Sequence, residues 1–282
     1  MRPLSDWSAS ARRGITGVLT DIDDTLTTHG AIGADALQAL HALRSAGLTV
    51  IPITGRPIGW CERFMAGSAD QAPWPVDAMV AENGAVAWVL GDTPDFLGQI
   101  GLQGLWNKRK QLSKLYQQDA STRAANATAM QAVAAQVLRE VPEARLTDDA
   151  GGRETDLAFD YAEHHHMTPA GVAQLLAVLE RAGMRTTVSS IHIHGCWGDF
   201  NKWQGAQWIV RSLYGRELAQ ELDRWVFVGD SGNDQVMFQH FTHSVGVANI
   251  RDCAARLTHL PVYVTPSARG AGFAEVAQAL LG

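Results

Sequence analysis

The sequence predicts an α/β protein, a parallel sheet covered on both faces with an α+β domain inserted in its middle. Three observations predict it. Apolar runs of strand length alternate with longer helical patterns at both ends of the 282-residue chain, and near-continuous apolar strands suit a sheet buried on both faces. The middle strands alternate polar and apolar instead, as a sheet with one wet face does. Two of the apolar runs end in clusters of aspartate, and ligands of open parallel sheets bind just beyond the carboxyl ends of the strands.

In chain order, residues 14–21 (GITGVLTD) read as a buried strand ending in carboxylates. Residues 34–46 carry Ala36, Leu37, Leu40 and Leu43 as one helical stripe, which Gly47 closes. Strands follow at 48–54 and 78–81. Residues 105–117 and 125–141 read as helices, and the charge-dense patch 108–114 as a solvated helix face. Residues 155–160 alternate, with Leu157 and Phe159 opposite Asp156, Ala158 and Asp160. Residues 168–183 form a helix with Thr168 as N-cap and Pro169 at its first position. Residues 185–194 read as one further strand, with Ser190, His192 and His194 on one face. A helix at 205–213 leads to strands at 224–230, 244–248 and 262–265. The expected division is a core of residues 1–87 and 197–282 around an α+β insertion of 88–196.

Hydrophobic residues at 46% against 18% charged exclude intrinsic disorder. A net charge of −6 argues against nucleic acid or an anionic membrane as partner. Cys61, Cys196 and Cys253 lie far apart with no C-x-x-C, which excludes a disulfide scaffold and fits a reducing cytosol. No apolar run approaches the roughly 18 residues of a membrane helix, and no apolar segment follows the arginines of the N-terminal stretch. The expectation is a cytoplasmic protein.

The chemistry concentrates in carboxylates. Asp21 and Asp23, two apart after a buried strand, can address one site. A second strand ends in Asp230-Ser231-Gly232-Asn233-Asp234. Such acidic groups repel one another unless a cation or a proton intervenes, and oxygen ligands with open water positions suit Mg²⁺. A calcium loop of the EF-hand type fails, because its glycine and glutamate would fall on Leu26 and Ile32, or on Gln235 and Phe241. A serine protease reading of Gly229-Asp230-Ser231-Gly232 fits the aspartate-rich surroundings poorly. Thr54, Gly55 and Arg56 close the second strand with a hydroxyl and loop amides, and Lys202 stands just before a helix.

Asp-x-Asp-x-Thr, Thr-Gly-Arg, a helix-opening lysine and Gly-Asp-x-x-Asn-Asp, in that order, resemble the haloacid-dehalogenase superfamily of phosphotransferases. The insertion after Ala81-Glu82-Asn83-Gly84-Ala85 is similar to the α+β cap of its Cof-like branch, which includes sucrose-phosphate, trehalose-phosphate and mannosyl-3-phosphoglycerate phosphatases. The resemblance implies a Rossmann-like core, with Asp21 as nucleophile and Asp23 as general acid and base. It also implies Mg²⁺ on the Asp21 side chain, the Asp23 backbone carbonyl and the Asp230 side chain. Asn233 and Asp234 would orient the metal's waters or Lys202, while Thr54 and Lys202 would hold phosphate oxygens. One departure is Asp24, where many members have glycine; it is expected to point away from the site.

Ser190, His192 and His194 offer hydroxyl and imidazole groups that match a polyhydroxylated leaving group, although each histidine taken alone reads as a surface residue. Asn83 is a further candidate near the cap hinge. The expected function is a Mg²⁺-dependent phosphatase of a sugar phosphate, or of a related polyol or glycerate phosphate. A sugar phosphomutase of the same fold and a catalytically idle sugar-phosphate-binding protein remain alternatives.

Overall fold

A computed structural model describes residues 1–68, 71–92 and 110–282. The chain opens with β1 (Arg2–Pro3), α1 (Ala9–Arg12), β2 (Gly17–Thr20), β3 (Thr27–Thr28), β4 (Ala31–Ile32) and α2 (Ala34–Ser45). Next come β5 (Thr49–Pro52), α3 (Ile58–Ala66), β6 (Ala78–Ala81), β7 (Val86–Asp92) and β8 (Lys110–Tyr116). The insertion continues with α4 (Ala120–Glu140), β9 (Leu157–Asp160), α5 (Pro169–Arg181), β10 (Arg185–Val188) and β11 (His192–Cys196). The chain ends in α6 (Lys202–Tyr214), β12 (Trp225–Gly229), α7 (Gln235–His240), β13 (His243–Gly246), β14 (Tyr263–Val264) and α8 (Arg269–Leu281).

The expected covered parallel sheet is present, with six strands in the order β1-β14-β13-β12-β2-β5. Alternation along each strand feeds two apolar layers. Val18, Val226 and Val228 pack on one face with Leu40 and Phe273, while Leu19, Ile51 and Phe227 pack on the other with Ile209 and Met237. Fully burying each such side chain stabilises by about 1.5–3 kcal/mol. From β2 the chain adds β5 on one side, and the late strand β12 returns on the other. The carboxyl ends of β2 and β12 therefore flank the switch point where ligands of such sheets bind.

A second sheet, β10-β11-β9, is antiparallel. Phe159 and Ile193 face α4 and α5 through a separate apolar cluster that includes Val137, Leu175 and Leu179. Thr168 caps α5 and Pro169 opens it, as the sequence predicts. The expected boundary between residues 87 and 88 falls inside β7, which pairs with both β6 and β8. Among the described residues no helix is long and apolar enough to cross a membrane.

Three sequence expectations need correction. The helix expected over 105–117 is, over Lys110–Tyr116, the strand β8, paired with β7 along seven residue pairs; residues 105–109 lie outside the described ones. Leu112, Leu115 and Tyr116 mimic a helical stripe, but Leu112 and Tyr116 pack on one apolar layer and Leu115 on the other, so the period is two and the free edge of β7 decides the matter. Lys114 accordingly lies on a strand, over the Trp88 ring and 2.6 Å from Glu154, rather than on a solvated helix face.

The single strand expected over 185–194 is a hairpin. Ser189 breaks it, because its hydroxyl oxygen accepts from His192 N at 2.9 Å and from Ile191 N at 3.3 Å. Ser190 therefore sits in the turn and leaves the face shared by His192 and His194. Those two histidines are not surface residues either. Both are buried, because the sheet face that would be wet in isolation closes over the ends of β2 and β5.

Candidate active site

Hydrogen bonding between adjacent parallel strands sets the position of the acidic groups. Asp21 N donates to Val228 O at 2.9 Å, which fixes the end of β2 against β12 and brings Asp21 beside Asp230. Oxygens of Asp21, Asp230 and Asp234 lie within 4.8 Å of one another. After β12 the chain turns through a capping box. Asp234 Oδ2 accepts from Asp230 N at 2.8 Å and Ser231 N at 3.0 Å.

Lys202 reaches this cluster because Asn201 starts α6, its side chain accepting from Gln204 N at 2.9 Å. The helix can approach because a Cβ on Gly205 would stand 2.5 Å from Gly84 Cα, a contact only glycine permits. The Lys202 ammonium, wholly buried, donates to Asp21 and, at 2.7 Å, to Asp234. Burial raises Asp21 to about 7, with Lys202 pulling the other way. Asp230 stands well above the usual carboxylate range through burial and its neighbours Asp21 and Asp234. Three buried carboxylates thus lie together with one ammonium, which bonds two of them. The excess of negative charge and the all-oxygen donor set fit a hard divalent cation.

Asp230 is held by Thr25 Oγ1 at 3.2 Å and by Asn249 Nδ2 at 2.8 Å. Asn233 belongs to a relay in which Ser231 Oγ donates to its Oδ1 at 2.9 Å and its Nδ2 donates to Asn83 Oδ1 at 3.2 Å. Asp24, with φ 55°, occupies the backbone region where glycine is unstrained, and its carboxylate turns to Arg269 at 2.8 Å, away from the site as expected.

The Thr-Gly-Arg loop folds differently from a simple phosphate cradle. Thr54 Oγ1 accepts from Arg56 N at 3.0 Å, which leaves its own hydrogen free to donate. The Arg56 guanidinium is engaged with carboxylates: Asp23 at 3.0 Å, Asp149 at 3.1 Å and Glu163 at 2.7 Å. Gly55 lies against His194 and Asn83. Sequence reasoning missed several partners here. Arg153 donates to Gly55 O at 3.0 Å and to Asp156 at 2.8 Å, and Asp156 accepts from His194 Nδ1 at 3.0 Å. The buried Glu82 carboxylate accepts from Ile58 N, Glu154 N and Thr155 N, which ties the end of β6 to the insertion. Arg153 sits in no recognisable motif, its three-residue spacing from Asp156 being the one local signal, and Glu82, although inside the stretch 81–85, carries no local sign of its bonds to the insertion. Together the Asp21, Asp23, Arg56, Ser190, His192, His194 and Asn233 side chains enclose a space of about 10 Å³.

The buried lysine between two carboxylates lies at the switch point of the parallel sheet, where ligands of such sheets bind. The family model described as haloacid dehalogenase-like hydrolase matches residues 18–94. That of sucrose-6F-phosphate phosphohydrolase matches residues 108–277, more than half of the chain. The chain belongs to this sucrose-6F-phosphate phosphohydrolase family of haloacid dehalogenase-like hydrolases, and it is a phosphatase. Among solved structures it is similar to the Synechocystis sucrose-phosphatase in complex with sucrose and phosphate, with TM-score 0.61 and 15% identity over 95% of this chain and 98% of that one. The C-terminal domain of Candida albicans trehalose-6-phosphate phosphatase gives TM-score 0.61 and 14% identity over 97% and 95%. A Thermoplasma acidophilum protein gives 0.64 and 16% over 94% and 98%. No curated protein sequence matches the chain.

Proposed function

We propose that this phosphatase hydrolyses a sugar phosphate, or a related polyol or glycerate monoester, with Mg²⁺ at the Asp21–Asp230 cluster and through an aspartyl-phosphate on Asp21. The observation that carries the reading is the meeting of Asp21, Asp230 and Asp234 around the buried Lys202 ammonium. The family match and the similarity to sugar-phosphate phosphatases support the substrate class.

Asp21 attacks phosphorus as the ester oxygen departs, and Asp23 gives that oxygen its proton. Asp23 then takes a proton from water as the water attacks the aspartyl-phosphate, which returns both residues to their starting state. Asp21, the backbone carbonyl of Asp23 and Asp230 would hold the metal, with Asn233 and Asp234 behind them. Mg²⁺, when bound there, supplies positive charge against the phosphate dianion. Thr54 and Lys202 donate to phosphate oxygens as charge develops on them. The enclosed 10 Å³ has room for about one water rather than a sugar phosphate, so the insertion lifts for entry and closes to exclude water. The Arg56 bridge to Asp149 and Glu163 fastens this closed state.

The test is a phosphate-release screen over hexose, disaccharide, polyol and glycerate phosphates, with Mg²⁺ and with EDTA. The expected result is Mg²⁺-dependent release concentrated on hydroxylated esters. Absence of release from every ester in Mg²⁺ would overturn the proposal.

A further inference from the structure

Of the two insertion histidines that line the site, His194 presents a buried ring nitrogen without a partner among the described residues. His192 Nε2 is taken by Glu163 at 2.6 Å. His194 bonds Asp156 through Nδ1, and its Nε2 has no partner among the described residues although the residue is only 3% exposed. One other orphaned polar atom lies beside it. Asn83 Nδ2, on a residue 5% exposed, is also unpartnered. His194 Nε2 and Asn83 Nδ2 stand 3.1 and 3.3 Å from the point where a side chain on Gly55 would begin. They converge on the loop between Thr54 and Arg56, next to the phosphate end of the site.

Their hydrogen-bonding senses are fixed from behind. Asp156 is paired with Arg153 at 2.8 Å, both side chains buried. Against the effect of burial, Arg153 and His194 hold the Asp156 carboxyl below its usual range, so it accepts and the proton of His194 sits on Nδ1. Burial lowers His194 itself to about 4, and the ring is neutral near pH 7 with a lone pair on Nε2. Asn83 receives at Oδ1 from Asn233, whose own Oδ1 receives from Ser231, so the Asn83 amide nitrogen points away from that relay as a donor. An acceptor and a donor therefore stand side by side. Phosphate oxygens would meet the Nε2 lone pair unfavourably, a carbonyl cannot donate, and an ammonium cannot accept. An alcohol does both.

We propose that His194 Nε2 and Asn83 Nδ2 read one hydroxyl of the leaving group, which donates to His194 and accepts from Asn83, with Asp156 as the positioning residue that fixes the tautomer. The inference rests on the phosphatase reading above and narrows it to esters that carry a hydroxyl close to the phosphorylated carbon. A site that bonds a substrate hydroxyl discriminates against the analogue lacking it, because its own buried polar atoms are then left unpaired.

Glycerol 3-phosphate and propyl phosphate share a carbon chain and differ in hydroxyls. The measured quantity is the ratio of their kcat/KM values on the full-length protein with Mg²⁺. The wild type is expected to favour glycerol 3-phosphate by ~10-fold or more. His194→Leu and Asn83→Gly, the latter suited to the positive φ of that residue, should each bring the ratio down toward one. His194→Gln, which keeps an acceptor, should restore part of it, and Asp156→Ala should lower it as His194→Leu does. A merely structural role would slow both esters together and leave the ratio in place. Equal turnover of the two esters by the wild type, or an unchanged ratio in the variants, would overturn the hydroxyl-reading pair alone. Absence of release from both esters and from every ester of the panel above would overturn the phosphatase reading and the pair with it.

Discussion

Arg56 and Glu163, 107 positions apart, meet at 2.7 Å where the loop after β5 touches the loop after β9. The same guanidinium holds Asp23 on the core side, and Glu163 passes the contact on to His192. Burial opposes the charge on Arg56, and Asp23 and Glu163 more than restore it. Glu163→Gln should therefore loosen the seat of the insertion by about 1–3 kcal/mol, the usual worth of a hydrogen bond to a charged group. Hydrogen–deuterium exchange over residues 149–165 should quicken in that variant. Exchange at the wild-type rate would show that the pair does not fasten the closed state.

Asp21 follows β2 and has no substitute, since Asp23 serves as acid and base beside Arg56 and Asp230 is turned toward Thr25 and Asn249. Asp21→Asn should lower phosphate release by ~10³-fold or more, the scale seen when a catalytic unit loses its nucleophile. Single-turnover assays with a labelled ester would measure it, and near-normal turnover would remove Asp21 from that role.

How far the sequence could be read follows from the range of each interaction. Asp21, Thr54, Lys202 and Asp230 were legible because each ends a strand or opens a helix, so local pattern places them on one sheet edge. β8 was misread because Leu112, Leu115 and Tyr116 satisfy a helical period, and only the open edge of β7 decides against it. The burial of His192 and His194, each a surface residue when taken alone, was not legible, because alternation shows which face a side chain takes but not what later covers that face. The links of Arg56 to Asp149 and Glu163, and of Asp156 to His194, join segments that no spacing rule connects.

The acidic cluster predicts a metal response. Asp21, Asp230 and Asp234 cluster beside one ammonium that bonds two of them, and a cation that binds only the folded chain stabilises it by mass action, by about 2.7 kcal/mol at a hundredfold excess over Kd. Mg²⁺ should raise the melting temperature of the wild type, and EDTA should reverse the rise. Asp230→Asn removes one of the mutually repelling charges, so its metal-free stability should stay within about 1 kcal/mol of the wild type or exceed it. Its Mg²⁺ response should vanish. A variant that still responds like the wild type would exclude Asp230 as a ligand.

The protonation of His194 gives a prediction whose sign can be worked out. Asp156, Arg153 and His192 are the charged or titratable groups around it, and burial, the largest influence, lowers its folded-state value from 6.5 to about 4. Between those values the unfolded chain binds a proton that the folded chain refuses, so acid favours unfolding. The stability concerned is complete above about pH 6.5 and is lost as pH falls toward 4, up to about 3 kcal/mol in all. His194→Gln has no proton to gain. Urea unfolding of wild type and variant at several pH values across this window isolates the effect, because slopes from the other carboxylates are common to both and cancel in the difference. The wild type should lose stability faster than the variant as the solution is acidified. Parallel curves would mean that His194 takes up its proton at the same pH in the folded chain as in the unfolded one, so that a donor, not a lone pair, faces the site in mild acid.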